Sequence, residues 1–147
     1  MMTNKGVILS INISTKKGEQ KIPVESAIVT KRGLEGDAHS GDWHRQISLL
    51  SEKSIDKMRG KGVEICYGDF AENITIKDLD LTELLIGQRV KIGEEVLLEV
   101  TQIGKECHHG CAIREAVGDC VMPKEGIFAK VIIIGNIKVG DTIILIK

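Results

Sequence analysis

The chain reads as a mostly β protein, one barrel of short antiparallel strands with a few short helices. Three observations predict this class. Aromatic residues make up only 3% of the 147-residue chain, so the core must be built from Ile, Val and Leu. The apolar runs are short and alternate loosely with polar residues, the period of a half-buried strand. Sixteen glycines punctuate those runs, as tight hairpin turns require. A chain of this length can bury a core without disulfide staples, and one domain spanning residues 1–147 is the economical reading.

Taken in order, Val7 to Ile13 is a first strand, rich in β-branched residues. Lys16-Lys17-Gly18-Glu19 is a turn, and Glu25 to Thr30 a second strand. A charged loop with three glycines then runs from Lys31 to Arg45. Ile47 to Leu50 is a short buried strand leading into a helix over Ser51 to Met58. Ser51 is its N-cap, Glu52 complements the helix dipole and Gly60 ends it. Val63 to Cys66 is a connecting strand or extended arm, Gly68 to Asn73 a turn and Ile74 to Ile76 a brief strand. From Leu84 onward, short apolar steps separated by glycines read as antiparallel hairpins, with Val96 to Thr101 a strand. A phrase related to Ile86–Val96 recurs at Ile137–Leu145, and the two are equivalent corners of one barrel. Ala112 to Val117 forms one or two helical turns, and Pro123 interrupts the chain. Gly126 to Ile134 is apolar enough to be buried as strand or helix, which periodicity does not decide.

Composition removes several function classes. A net charge of −1 leaves no basic field for nucleic acid. No apolar stretch approaches the roughly 20 residues needed to cross a bilayer, and Met1 to Ser14 has no signal-peptide pattern. The expected setting is cytoplasmic, where four cysteines are reduced thiols rather than a disulfide framework.

Chemistry concentrates in two places. Gly104 to Cys120 holds three of the four cysteines and two of the four histidines, directly after a strand. Cys107 is flanked by Lys105, His108 and His109 on a glycine turn, and nearby positive charge favours a thiolate fit for nucleophilic or sulfur-transfer chemistry. Cys111 and Cys120 are candidate resolving thiols. The same cluster admits a tetrahedral zinc or iron site from Cys107, Cys111, Cys120 and His108 or His109, although the second ligand pair usual for zinc is missing. Cys66, among apolar neighbours, reads as a buried small hydrophobe. In the Lys31–Arg45 loop, Lys31, Arg32, His39, His44 and Arg45 offer donors to an anionic ligand, with glycines admitting close backbone approach. Asp37 and Asp42 are placed to orient the histidines. Glu72 and Asn73 are candidate polar site residues, Asn73 being equally well explained as a turn residue that tolerates positive φ.

Five segments in sequence resemble the MOSC family, named after the C-terminal domain of molybdenum cofactor sulfurase, in its stand-alone bacterial form. They are Gly33-Leu34-Glu35-Gly36-Asp37-Ala38-His39 with Arg45-Gln46-Ile47-Ser48-Leu49; Gly68-Asp69-Phe70-Ala71-Glu72-Asn73-Ile74-Thr75; Leu85-Ile86-Gly87 with Ile92-Gly93; Val100 to Cys107; and Gly126 to Val131 with Val139-Gly140-Asp141. The resemblance implies a β-barrel that binds molybdenum cofactor (molybdopterin) or a precursor. It implies that Cys107 carries sulfur as a persulfide or meets molybdenum as a thiolate. Lys31, Arg32, His39, His44, Arg45, Asn73 and Arg114 would then hold the cofactor. A cysteine desulfurase or a molybdoenzyme is the implied partner, and sulfur transfer or a cofactor-dependent reaction the implied activity. The alternatives are a non-catalytic module that delivers the cofactor and a barrel with a structural Cys/His metal site. The family's association with pyridoxal phosphate reflects larger relatives with a desulfurase-like domain, so no Schiff-base lysine is carried over. Two departures stand out: Glu106 replaces the proline that often precedes the cysteine, and His108, His109, Cys111 and Cys120 are additions.

Overall fold

A computed structural model describes residues 4–16, 20–62, 64–104 and 125–146. The elements in chain order are β1 (Lys5–Ile13), β2 (Ile22–Val24), β3 (Ser26–Thr30), β4 (Gly33–Leu34), β5 (Ile47–Ser51), α1 (Glu52–Arg59), β6 (Ile74–Lys77), a 3₁₀ turn (Leu81–Glu83), β7 (Arg89–Ile92), β8 (Val96–Ile103), β9 (Ile127–Ile133), β10 (Gly135–Lys138) and β11 (Thr142–Ile146). Seven strands close a barrel in the order β11-β7-β8-β9-β5-β6-β1, the ring completed where β1 meets β11. β2 extends the sheet beyond β1, while β10, β3 and β4 form a separate three-stranded sheet.

Each of these strands exists because its apolar face has somewhere to go. Ile47 and Leu49 of β5, Val90 and Ile92 of β7, Val96, Leu98 and Val100 of β8, and Ile127 and Ala129 of β9 alternate inward to one Ile/Val/Leu core. A second, smaller cluster lies outside the barrel wall, where Leu50 and Phe128 pack with Ile55 and Met58 of α1, Ile65 and Phe70. Helix α1 forms as its sequence predicts: Ser51 caps it by accepting from the Ser54 amide, and the Gly60 amide closes it on Asp56 O at 3.0 Å. The helix also carries the chain across between β5 and β6, which explains why these two neighbours run parallel while every other pairing among the described residues is antiparallel.

The strand expected over Glu25 to Thr30 is β3; the sequence reading missed the short β2 before it, which pairs with β1 in the other sheet. The Gly126–Ile134 run is a strand, fixed by pairing with β5 and β8 on either side. The Ile137–Leu145 phrase is not a hairpin, because β10 pairs with β3 and β11 with β7 and β1. Residues 64–66 form no strand; there the chain is an arm leading to a turn at Gly68. The helical turns expected over Ala112 to Val117, the break at Pro123 and most of the Lys16–Glu19 turn lie outside the described residues.

Candidate functional site

The loop before β5 is pinned from below by a buried ion pair. Lys21 and Asp37 meet at 2.7 Å with both side chains fully buried. The Lys21 ammonium also reaches Ser14 Oγ at 3.3 Å and His39 Nδ1 at 2.8 Å. The Asp37 carboxylate accepts from the Ser14 amide through Oδ1 and from the His39 amide through Oδ2. Burial works to raise the Asp37 carboxyl. The hydrogen bond and charge of Lys21, with the donors Ser14 and Asn73, outweigh it and hold the group below the ordinary carboxylate value.

Above this base, side chains gather around Trp43. The His39 ring stacks against its indole with centroids 6.5 Å apart and planes 10° from parallel. Trp43 Nε1 donates to His39 O at 2.8 Å. His44 meets the indole edge-on at 6.1 Å. The Arg45 guanidinium lies 4.6 Å over the Trp43 ring centroid and 5.7 Å from that of Phe128. Guanidinium stacked between aromatic faces is held in one plane while its N–H fork stays available. Arg45 Nε is buried and has no hydrogen-bond partner among the described residues. A buried donor left unsatisfied costs about 1–3 kcal/mol, so this arrangement is stable only if something else compensates.

The same surface receives the ends of the cysteine-bearing segment. His44 Nε2 is 2.8 Å from Gln102 Oε1, and the Thr101 hydroxyl donates both to His44 O and to Phe128 O. Two residues further, the Gly104 amide bonds to Gly126 O at 2.6 Å and closes a neck between β8 and β9. On the far side of that neck Glu125 accepts from Ser54 Oγ and Lys57 Nζ, each at 2.9 Å, which fastens it to α1. The segment holding Cys107 therefore leaves and re-enters the barrel beside His44 and Arg45.

A family model described as MOSC domain matches residues 36–144. The chain belongs to the MOSC family. MOSC proteins as a class are associated with the molybdenum cofactor. Among solved structures, the YUAD protein from Bacillus subtilis matches with a TM-score of 0.80 at 19% identity, over 95% of this chain and 94% of that one. YiiM from Geobacillus stearothermophilus matches at 0.73 and 22% identity, over 97% of this chain and 75% of that one. YiiM from Escherichia coli gives 0.70 and 18%, over 97% and 70%. At these identities the likeness is one of fold. Comparison with curated proteins returned no match.

Against the MOSC pattern, the expected site residues divide into three groups. His39, His44 and Arg45 come together at Trp43. Lys31 and Arg32 do not. Both side chains are exposed, and their carbonyls serve the loop by accepting from Gln46 Nε2 and the Gly41 amide. Asp42, expected to orient a histidine, instead faces Arg32 at 3.7 Å in solvent, and Asp37 acts on His39 through its backbone and through Lys21. Asn73 lies apart from the Trp43 cluster: it is buried, its Oδ1 accepts from Ser48 N and Oγ, and its Nδ2 donates to Asn12 O. Its amide thus holds the interior together and also reaches Asp37 at the base of the site, while the positive φ values of that turn belong to Gly68 and Ala71. Cys66 requires correction. It is exposed, because Ile65 and Phe70 take the buried positions beside it. Cys107, Cys111, Cys120, His108, His109 and Arg114 lie outside the described residues. No helix among the described residues is long and apolar enough to cross a membrane.

Two residues that organise the site were not singled out by sequence. Trp43 offered a signal, as the one tryptophan of the chain set in a polar loop. Lys21 offered none, since nothing local marks a lysine that a distant aspartate will bury.

Proposed function

We propose that this MOSC protein binds molybdenum cofactor or a precursor at the Trp43 cluster and handles its sulfur or molybdenum ligand through Cys107. The observation that carries the reading is the buried Arg45 Nε, unpaired among the described residues, beside the neck of the Cys107 segment. The donor set suits the oxyanion that a pterin phosphate supplies: a guanidinium held flat by Trp43 and Phe128, with two histidines against the same indole. Arg45, His44 and His39 would hold that phosphate. Arg114 after the cysteines is a further candidate donor, whereas the exposed Lys31 and Arg32 at the loop entrance would add only weak, screened attraction. The cofactor itself supplies the molybdenum centre and the dithiolene sulfurs that bind it.

The thiol's role follows from its neighbours in sequence. Lys105, His108 and His109 favour the Cys107 thiolate. In sulfur transfer, that thiolate attacks the terminal sulfur of a persulfide on a donor enzyme. A new S–S bond forms at Cys107, the donor's S–S bond breaks, and the donor cysteine leaves as thiolate, so no external oxidant is needed.

The test is peptide mass spectrometry after incubation with a cysteine desulfurase and cysteine, wild type against Cys107→Ala. One added sulfur atom confined to the Cys107 peptide, and absent from the variant, is the expected result. Absence of added sulfur with freely alkylated thiols would leave cofactor binding or delivery alone. Thiols that resist alkylation until a chelator is added would replace this reading with the Cys/His metal site.

A further inference from the structure

We infer that Lys21 is a positioning residue for the oxyanion site at Arg45, acting through His39 and Trp43. The inference rests on the cofactor-binding reading for its purpose and on geometry for its mechanism. An ammonium has three N–H donors and no acceptor. Among the described residues three acceptors face Lys21: Asp37 Oδ1 at 2.7 Å, His39 Nδ1 at 2.8 Å and Ser14 Oγ at 3.3 Å. Facing a pure donor, His39 Nδ1 must accept. The neutral ring then carries its proton on Nε2, and the ring plane is fixed along the Nζ···Nδ1 direction.

That plane is passed upward. The His39 backbone is gripped at its amide by Asp37 Oδ2 at 3.2 Å, and its carbonyl receives Trp43 Nε1 at 2.8 Å. The two rings lie within 10° of parallel. The indole so oriented is the face on which the Arg45 guanidinium rests. A stack therefore runs from a buried ion pair to the unsatisfied donor of Arg45. Stability alone does not call for an ammonium at its root, because well-packed apolar residues often replace buried ion pairs without loss. A fixed tautomer and ring plane do call for one, since an apolar residue at 21 has no proton to give Nδ1.

The test compares wild type with Lys21→Met and with the double variant Lys21→Met/Asp37→Asn, the latter removing both charges so that no buried carboxylate is stranded. Each is used only once its methyl spectrum shows an intact barrel. Nitrogen-resolved imidazole spectra at mildly alkaline pH should show wild-type His39 protonated on Nε2, with Nδ1 in the range of a hydrogen-bonded acceptor. In either variant that Nδ1 signature should be lost and the tautomer should become mixed. Inorganic phosphate, titrated as the probe, should bind the variants roughly tenfold more weakly than wild type, the scale usual for removing a partner that orients a binding histidine. A proton on wild-type Nδ1, or an unchanged His39 spectrum in the folded double variant, overturns the inference. If the His39 signature responds while phosphate does not bind wild type at all, the oxyanion reading of Arg45 fails and the Lys21–His39 contact stands apart from it.

Discussion

Trp43 decides which cationic side chains of its loop can act together, and the prediction at this scale follows from that choice. Arg45→Gln should abolish phosphate or cofactor binding at the loop, whereas Lys31→Ala should change affinity by no more than about twofold, because an exposed lysine outside the cluster contributes little. Equal losses from the two substitutions, measured by titration calorimetry, would remove Trp43 from the centre of the site. Asn73 makes the opposite point. Removing its amide by Asn73→Ala strands the Ser48 amide and Asn12 O in the interior and should cost about 2–4 kcal/mol in urea unfolding. Glu72, its neighbour, is fully buried. Burial raises its carboxyl above the ordinary value, against hydrogen bonds from the Phe70 amide and the Thr75 hydroxyl. A raised folded-state value means that the native state holds this proton more tightly than the unfolded chain does. The stabilisation is complete below the unfolded value and is lost as pH rises through the folded one. Thermal melts from about pH 4 to pH 8, a span opening near the unperturbed value for Glu, should show wild type losing ground steadily to Glu72→Gln. A difference that stays constant with pH would mean that Glu72 does not titrate in the fold over that span.

At the scale of the element, the Gly68–Asn73 turn is where sequence reasoning found a motif and left its purpose open between site and structure. Gly68 has φ +94°, and a Cβ there would collide with the Lys21 carbonyl, whose amide in turn bonds to Gly68 O at 3.0 Å. Asp69 Oδ2 takes the Cys66 amide at 2.8 Å, Glu72 takes that of Phe70, and Asn73 locks β5 to β1. The turn is a clamp across the outside of the barrel, and it presses on Lys21, the root of the Trp43 stack. Gly68→Ala should therefore destabilise the fold by about 2 kcal/mol or more, and should also perturb the His39 imidazole resonances, although residue 68 touches no ligand group. Loss of stability with an unchanged His39 spectrum would separate the clamp from the site. Helix α1, by contrast, was legible almost to the residue. Its signals, Ser51, Glu52 and Gly60, act within one or two turns of chain. The turn's partners sit 25 and 61 positions away from Asn73, at Ser48 and Asn12, so only its glycine could announce it.

For the whole molecule, the barrel class was readable from glycine spacing and the Ile/Val/Leu alternation, because both record what each strand needs locally. The ring order was not, because it is set by pairings between distant strands. The seam shows why. β1 closes the barrel on β11 through three registered pairs, Lys5↔Ile144, Gly6↔Ile143 and Val7↔Thr142, while β8 and β9 share six. At the middle of that seam a Cβ on Gly6 would come within 2.8 Å of Leu79 Cβ and 2.5 Å of Lys77 O. The segment after β6 lies against β1 there, and only a residue without a side chain lets both neighbours approach. Gly6→Val should force them apart and cost about 2–3 kcal/mol, the range for overpacking a close-packed interior. Because the clash falls on a seam of only three registered pairs, as few as β5 shares with β6 or with β9, the damage should appear as local opening there rather than uniform loss. Amides of β11 should exchange with solvent about 30-fold faster or more, each 1.4 kcal/mol being worth a factor of ten, while those of β8 and β9 change far less. Uniform acceleration across all seven strands would mean that the ring opens only as a unit. In that case the Trp43 site, built on β5, β8 and β9, would share its stability with the seam on the far side of the barrel.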